Sequence, residues 1–255
     1  MKIALVGYGK MGKEIETVAT ARNHEIVARY TSQHPLNNEN WVDCDVAIEF
    51  TNPEIAVSNI EFCLSKGVAI CIGSTGWYNE LPRLKEYCFL NNAAMLASTN
   101  FSIGVNLYWK IAEYTARLFQ SIPNYSVGIV ENHHLEKKDA PSGTAITLAE
   151  KYIENQDRYK QWALADTLWE EQAVQFDAIE EFKKMTTKTL PIISLRENNV
   201  PGTHQLFQIG QNDFLKLEHQ ANNRKGFAEG AVIAAEWLFS KKGVFSMADM
   251  LKFEQ

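Results

Sequence analysis

Positive charge is scarce in this chain. Its 255 residues carry 25 Lys and Arg against 31 Asp and Glu, a net charge of -6 with a pI near 5.6, and no stretch gathers basic residues into a stripe. That excludes a broad electropositive face for wrapping nucleic acid or coating an anionic membrane, so neither is expected as a partner. Long apolar runs are missing as well. The opening Met1-Lys2-Ile3-Ala4-Leu5-Val6 is basic then apolar, but the apolar run ends after four residues, too short for a signal-peptide core or a spanning helix. It reads as a buried strand of a cytoplasmic protein. Cysteine is sparse: Cys44, Cys63, Cys71 and Cys88 lie in apolar surroundings without CxxC spacing, which fits reduced core thiols better than zinc ligation or a disulfide framework. No internal repeat or low-complexity segment is visible.

What is present is an ordinary folding composition, 45% hydrophobic and 22% charged, enough for one large core or two modest ones. The first hundred residues alternate short apolar runs (2–6, 25–30, 45–50, 68–72 and 94–97) with helical patterns, the rhythm of parallel strands crossed by helices. The helical pattern at 53–66 opens on Pro53 and closes before Gly67, as helix ends prefer. Beyond residue 100 the rhythm changes. A long apolar helix (105–119) and a strand (125–130) precede a helix opening at Pro141-Ser142-Gly143. Consecutive strand-like runs follow at 190–196, 204–209 and 214–220, the last two joined by Gln211-Asn212-Asp213. Strands without crossover helices predict a second, largely antiparallel sheet. In the segment 155–184, Trp162, Leu168, Trp169 and Phe176 fall near helical spacing, predicting helices packed on that sheet. The Ala-rich pattern at 226–239 predicts a helix that returns to the first domain. The fold class is thus α/β, a Rossmann-type doubly wound parallel sheet plus an α+β domain with a mixed or antiparallel sheet. The first domain takes in residues 1–101 and 225–255, and the second 102–224.

Gly7-Tyr8-Gly9-Lys10-Met11-Gly12 is a G-x-G-x-x-G placed directly after the first strand and before the first helix. In that position the first glycine permits a tight turn and the second a close approach of a pyrophosphate. The third lets helix and strand pack, leaving the helix N-terminus to the anion. A bare glycine-rich turn is the weaker reading, because the second strand follows at the expected interval. An acid at the end of that strand would favour NAD, yet the segment reads Ala28-Arg29-Tyr30-Thr31-Ser32. With no carboxylate to repel a 2′-phosphate, NADPH and NADH both remain open. Two small-residue turns, Gly73-Ser74-Thr75-Gly76 and Ser98-Thr99-Asn100-Phe101, follow later strands, where an open parallel sheet binds its ligand.

The densest chemical segment runs from Glu131 to Thr144 and includes His133, His134, Lys137, Lys138 and Asp139. Two imidazoles and a lysine within a few residues can donate protons and attract carboxylates. Pro141 precedes a helix start whose free N–H groups can hold an anion. These groups suit an acidic substrate that accepts a proton. The bland alternative is solvated surface charge. Glu131, His133, His134 and Asp139 could hold zinc on paper, but adjacent histidines of a strand face opposite ways and two lysines oppose a dication. No metal is expected.

Read in full, E-N-H-H-L-E-K-K-D-A-P-S-G-T-A resembles the signature of the 4-hydroxy-tetrahydrodipicolinate reductase family, E-x-H-H-x-x-K-x-D-A-P-S-G-T-A, with every fixed position present. The resemblance extends through V-G-Y-G-K-M-G, I-E-F-T, G-S-T-G, T-N-F-S-I-G-V-N and R-E-N-N-V-P-G-T-H, and is weakest at 155–184. It implies an NAD(P)H-dependent oxidoreductase of lysine and diaminopimelate biosynthesis, acting on a small dicarboxylate. By the same resemblance His133 is the proton donor and acceptor and Lys137 a second donor, while His134, Gly143 and Thr144 bind substrate carboxylates. Gly7 to Gly12, Gly73 to Thr75, Ser98 to Phe101 and, at the ribose position, Thr31 bind the cofactor. The resemblance further implies a homotetramer built through the second domain's sheet. Closure is expected at hinges near 101–104 and 222–226. Two rivals stand beside this reading: a related Rossmann reductase of another small acid, and a non-catalytic cofactor sensor.

Overall fold

The computed structural model describes residues 1–165, 182 and 188–253. In chain order the elements begin with β1 (Lys2–Val6), α1 (Lys10–Ala21), β2 (Glu25–Tyr30), β3 (Val46–Glu49), α2 (Pro53–Ser65), β4 (Ala69–Ile72), α3 (Leu81–Leu90), β5 (Ala94–Ala97) and α4 (Ile103–Phe119). They continue with β6 (Ser126–His134), α5 (Gly143–Glu154), β7 (Gln161–Leu164), β8 (Thr189–Glu197), β9 (Thr203–Ile209) and β10 (Phe214–Gln220), and end with α6 (Lys225–Leu238), β11 (Gly243–Phe245) and α7 (Met247–Met250). The chain divides into two units, Met1–Asn106 with Arg224–Gln255, and Leu107–Asn223.

The first unit is a six-stranded parallel sheet in the order β11-β5-β4-β3-β1-β2. Every residue of β3 and β4 is buried, which is why these strands read as unbroken apolar runs: both faces of a parallel sheet are covered. One face packs Ile3, Leu5, Val46 and Ile48 against Ile15 and Val18 of α1 and Ala228, Ala231, Val232 and Leu238 of α6. The other packs Ala4, Val6, Ala47 and Ile70 against Ile60 and Leu64 of α2 and Leu84 of α3. Asn52 caps α2 by accepting from the N–H groups of Glu54 and Ile55, a bond whose loss typically costs about 1 kcal/mol. Cys63, Cys71 and Cys88 are buried and all four cysteines are free. Burial pushes each thiol up, Cys44 to about 12, so these are inert packing groups. The strand order reverses at β1, between β2 and β3, which puts the ligand crevice of such a sheet at the carboxyl ends of those strands.

The second unit is a five-stranded sheet, β10-β9-β6-β8-β7. β9 runs antiparallel to β6 and β10, but β8 runs parallel to both β6 and β7. The sheet is therefore mixed rather than largely antiparallel, because α5 intervenes between β6 and β7 and lets the chain re-enter in the same direction. Trp162 lies on β7, not on the helix predicted for this segment; Leu168, Trp169 and Phe176 lie outside the described residues. Phe182 is buried against Val130, Ile193, Phe207 and Ile209. No helix among the described residues is long and apolar enough to cross a membrane.

Candidate active site

In the first unit the glycine loop is fixed by sterics. Gly7 has φ +98, and a Cβ there would lie 2.2 Å from the Phe50 carbonyl oxygen; a Cβ on Gly12 would lie 2.4 Å from that of Gly7. Gly9, at the N-cap of α1, would meet nothing within 4 Å. The first turn of α1 holds no acid and the cap has no side-chain partner, the open, electropositive helix end that a phosphate needs. A cavity of about 630 Å³ adjoins it, lined by Gly7, Tyr8, Gly9, Thr31, Ser32, Thr51 and Asn52 among others, and none of the described residues in its wall is acidic. The size and lining suit a nucleotide. Lys10, Met11 and Gly12 open α1 outside this wall.

Gly73 to Thr75 and Ser98 to Phe101 follow β4 and β5 and do not line that cavity. Ser74 is buried, and its hydroxyl donates to Glu49 Oε1 at 3.0 Å. That oxygen also accepts from the Thr51 N–H at 2.9 Å, so one buried carboxyl ties together the turns after β3 and β4. Burial raises the pKa of Glu49 against the opposing bonds from Thr51 and Ser74. Ser98 Oγ donates to the Asn100 carbonyl at 2.7 Å, and Phe101 packs 5.8 Å from the Phe50 ring. Arg29, two residues before Thr31, is engaged. Its Nε donates to Glu16 Oε2 at 3.0 Å, and the Tyr8 hydroxyl donates to the same carboxylate. Thr31 Oγ1 accepts from the N–H groups of Gln33 and His34 at 3.2 and 3.1 Å.

In the second unit β6 carries the chemistry. Strand alternation sends Glu131 and His133 to one face and His134 to the other. Glu131 pairs across to His204 of β9 and to Ser194 of β8, and His133 to Arg196 of β8. Glu131 is fully buried. Its Oε1 accepts from the Ser142 N–H at 2.9 Å and the Ser194 hydroxyl at 2.7 Å, with Arg196 at 3.5 Å. Its Oε2 lies 3.3 Å from His133 Nε2. Burial pushes Glu131 up, but the neighbouring His133 and the bonds from Ser142 and Ser194 together outweigh it and hold the carboxyl at about 2. His204 Nε2 lies 3.4 Å from His133 Nε2 and 3.2 Å from Ser142 Oγ. Burial, with His133 beside it, pushes His204 down to about 3, so it is neutral.

Ser142 is the N-cap of α5, accepting from the Ala145 N–H at 3.2 Å, and Gly143 and Thr144 form that helix's first turn. The helix thus begins at Gly143 rather than at Pro141, which follows a cis peptide bond. The Arg196 guanidinium donates to the carbonyls of Asp139 at 2.6 Å and Lys137 at 3.3 Å, pinning the loop that carries Lys137. The zinc set of Glu131, His133, His134 and Asp139 is not assembled: His134 faces away from Glu131, and the Asp139 side chain is 62% exposed. A different trio, Glu131, His133 and His204, converges within 4.8 Å. The sequence assigns no site role to Ser194, His204 or Arg196, since each reaches the site from a strand far along the chain. Alternation along β8 and β9 was the one signal that could have placed them on the Glu131 face.

A Rossmann-type sheet with its glycine loop, followed by a mixed-sheet unit holding a buried carboxylate–imidazole cluster, defines a two-unit nicotinamide-linked oxidoreductase. Residues 1–101 match the profile for dihydrodipicolinate reductase, N-terminus, and residues 104–251 that for its C-terminus. The chain belongs to the dihydrodipicolinate reductase family. It is 38% identical to the 4-hydroxy-tetrahydrodipicolinate reductase of Christiangramia forsetii over 98% of both chains, and 31% identical to that of Archaeoglobus fulgidus over 99% of this chain and 100% of the relative. The dipicolinate-bound dihydrodipicolinate reductase of Paenisporosarcina sp. superposes with a TM-score of 0.76 at 25% identity, covering 98% of this chain and 99% of that one.

Proposed function

We propose that this protein reduces 4-hydroxy-tetrahydrodipicolinate to tetrahydrodipicolinate with NADH or NADPH, in cytoplasmic lysine and diaminopimelate biosynthesis. The observation that carries the reading is that His133, at the end of β6, lies 3.3 Å from the buried Glu131 carboxylate, whose other oxygen accepts from the Ser142 N–H at the N-cap of α5. The first unit serves as the dinucleotide-binding domain, with Gly7 to Gly12, Thr31, Gly73 to Thr75 and Ser98 to Phe101 as its contacts; the second binds substrate. The nicotinamide supplies a hydride to the conjugated ring left when the 4-hydroxyl departs as water. Electron density then builds toward the ring nitrogen, and a proton must follow it. His133 and Lys137 supply cationic, proton-donating groups that are worth more to that developing charge than to the ground state. His134 and the N–H groups at Gly143 and Thr144 hold the carboxylates, and orientation of this kind contributes up to about 7–11 kcal/mol in favourable cases.

The protein is further proposed to be a homotetramer joined through the second unit's sheet, whose edge strand β10 exposes Phe214 and Leu215. The test of function is nicotinamide oxidation, followed by absorbance, with substrate generated in situ by the preceding synthase. Wild type should turn over with at least one cofactor, while His133→Gln and Lys137→Ala should lose kcat with modest change in KM. Tight cofactor binding without turnover would instead favour a reductase of another acid or a sensor.

A further inference from the structure

Glu131 and His204 are 0% and 4% exposed and face each other across the β6/β9 pairing, yet neither has a part in the chemistry above. Holding an ionised carboxylate inside a sheet is unfavourable unless its oxygens meet donors. Oε1 has them: the main chain of Ser142, the hydroxyl of Ser194 and the guanidinium of Arg196. Oε2 is buried without a hydrogen-bond partner among the described residues, and the nitrogens that face it are His133 Nε2 at 3.3 Å and His204 Nε2 at 3.8 Å. An anionic oxygen in that position draws the imidazole proton onto the nitrogen facing it. On its other side His133 Nε2 meets His204 Nε2 at 3.4 Å. His204 is neutral, and its Nε2 also lies 3.2 Å from Ser142 Oγ. The carboxylate beside His133 Nε2 therefore calls for a proton there, where a bare lone pair would face Oε2.

We infer that Glu131 and His204 are positioning residues that keep His133 protonated on Nε2, so that Nδ1 is the atom that gives and takes the proton of the reaction. Gly202 supports this. It has φ +152, and a Cβ on it would lie 3.2 Å from His133 Nδ1 and 2.9 Å from Cε1, so the residue without a side chain stands where the working edge of the ring needs room. The same carboxylate holds Ser142 at the start of α5. Proton donor and carboxylate-binding turn are thus set by one buried group. The inference rests on the role proposed for His133.

The test is long-range proton–nitrogen correlation NMR on protein labelled with nitrogen-15 histidine, the His133 signals being those absent from His133→Gln. Once His133 has lost its titratable proton, the wild type should show hydrogen on Nε2 and a bare Nδ1. Glu131→Gln should mix the two tautomers and lower kcat at least tenfold at unchanged KM for NADH, and His204→Asn should do the same more weakly. A bare Nε2 in the wild type overturns the inference, whether or not the variants fold. So does zinc purifying with the protein at one per chain and lost in Glu131→Gln, since a metal on Nε2 displaces the proton. If His133→Gln keeps full turnover, the functional reading fails instead, and the tautomer stays readable by itself.

Discussion

Lys137 Nζ lies 2.6 and 2.8 Å from the two carboxylate oxygens of Asp139, two residues along the loop between β6 and α5. Burial nudges Asp139 upward, but the Lys137 ammonium outweighs it and holds the carboxyl below its usual range. With the Asp139 side chain 62% exposed, a pair of this sort is worth about 0–1 kcal/mol of stability. Its effect is positional: it aims the ammonium while Arg196 fixes the main chain beneath it. Lys137→Ala should therefore lower kcat by about 100-fold or more, the scale of a lost proton donor. Asp139→Asn should cost kcat less, and both should melt within a few degrees of wild type. Equal kcat losses in the two variants would show that the lysine acts only through its partner.

Gly202→Ala tests the packing over His133. The new Cβ would stand 2.9 Å from Cε1 of an imidazole already held by Glu131, at a backbone conformation that L-residues resist. The ring must give way, so kcat should fall by at least about tenfold, the penalty of misplacing a catalytic group by a fraction of an ångström. NADH affinity, measured by nicotinamide fluorescence, should not change. A parallel loss of NADH binding would mean that the substitution unfolds more than this site.

These two predictions draw on features of unequal visibility in the sequence. The glycine loop was legible because its constraints are local: Gly7 and Gly12 answer to the turn and to one another. His133 and Lys137 were legible as a dense local cluster. The surroundings of Glu131 were not, because its partners Ser194, Arg196 and His204 arrive 63 to 73 residues later on β8 and β9. Alternation tells which residues share a face but not which strand lies beside which. For the same reason the parallel β6/β8 pairing escaped notice. Trp162 belongs to a strand hidden in the sequence, because aromatics at helical spacing outweigh a four-residue strand too short to show its own period.

The buried histidines make stability depend on pH. His204 is held at about 3 in the folded chain against an ordinary 6.5, and burial lowers His219 as well. Between those values the unfolded chain binds a proton at position 204 that the folded chain refuses, so that stability, fully present above 6.5, falls as the pH falls. Glu131, held at about 2 against 4.5, adds its own loss only below 4.5. Glu49, raised by burial, works the other way and loses its contribution as the pH rises. Each unbound histidine proton is worth about 1.4 kcal/mol per pH unit at most. Thermal melts should thus drop from pH 6.5 to pH 4.5, and His204→Leu should flatten the slope. A wild-type Tm that is level across that window would be incompatible with a neutral, buried His204.

Cofactor preference should turn on Glu16. Arg29 is the penultimate residue of β2, next to Tyr30 and Thr31, which line the cavity beside the glycine loop, yet its guanidinium is bound by the Glu16 carboxylate, and Tyr8 donates to that same group. A neutralised arginine contributes little to a 2′-phosphate, while a cavity wall without an acid leaves NADH and NADPH on nearly equal terms. Glu16→Gln removes the competing charge and leaves the side-chain volume intact. The freed guanidinium then becomes available for bidentate phosphate contact. The ratio of kcat/KM for NADPH to that for NADH should rise about tenfold, equivalent to about 1.4 kcal/mol, through KM for NADPH alone. Adding Arg29→Ala should erase the gain. Were the ratio to rise equally without Arg29, the effect would come from removing a negative charge near the site, and the guanidinium would have no part in it. If the ratio stays put in Glu16→Gln, the 2′-phosphate lies out of Arg29's reach, and selectivity must come from Thr31, Ser32 and the main chain between them.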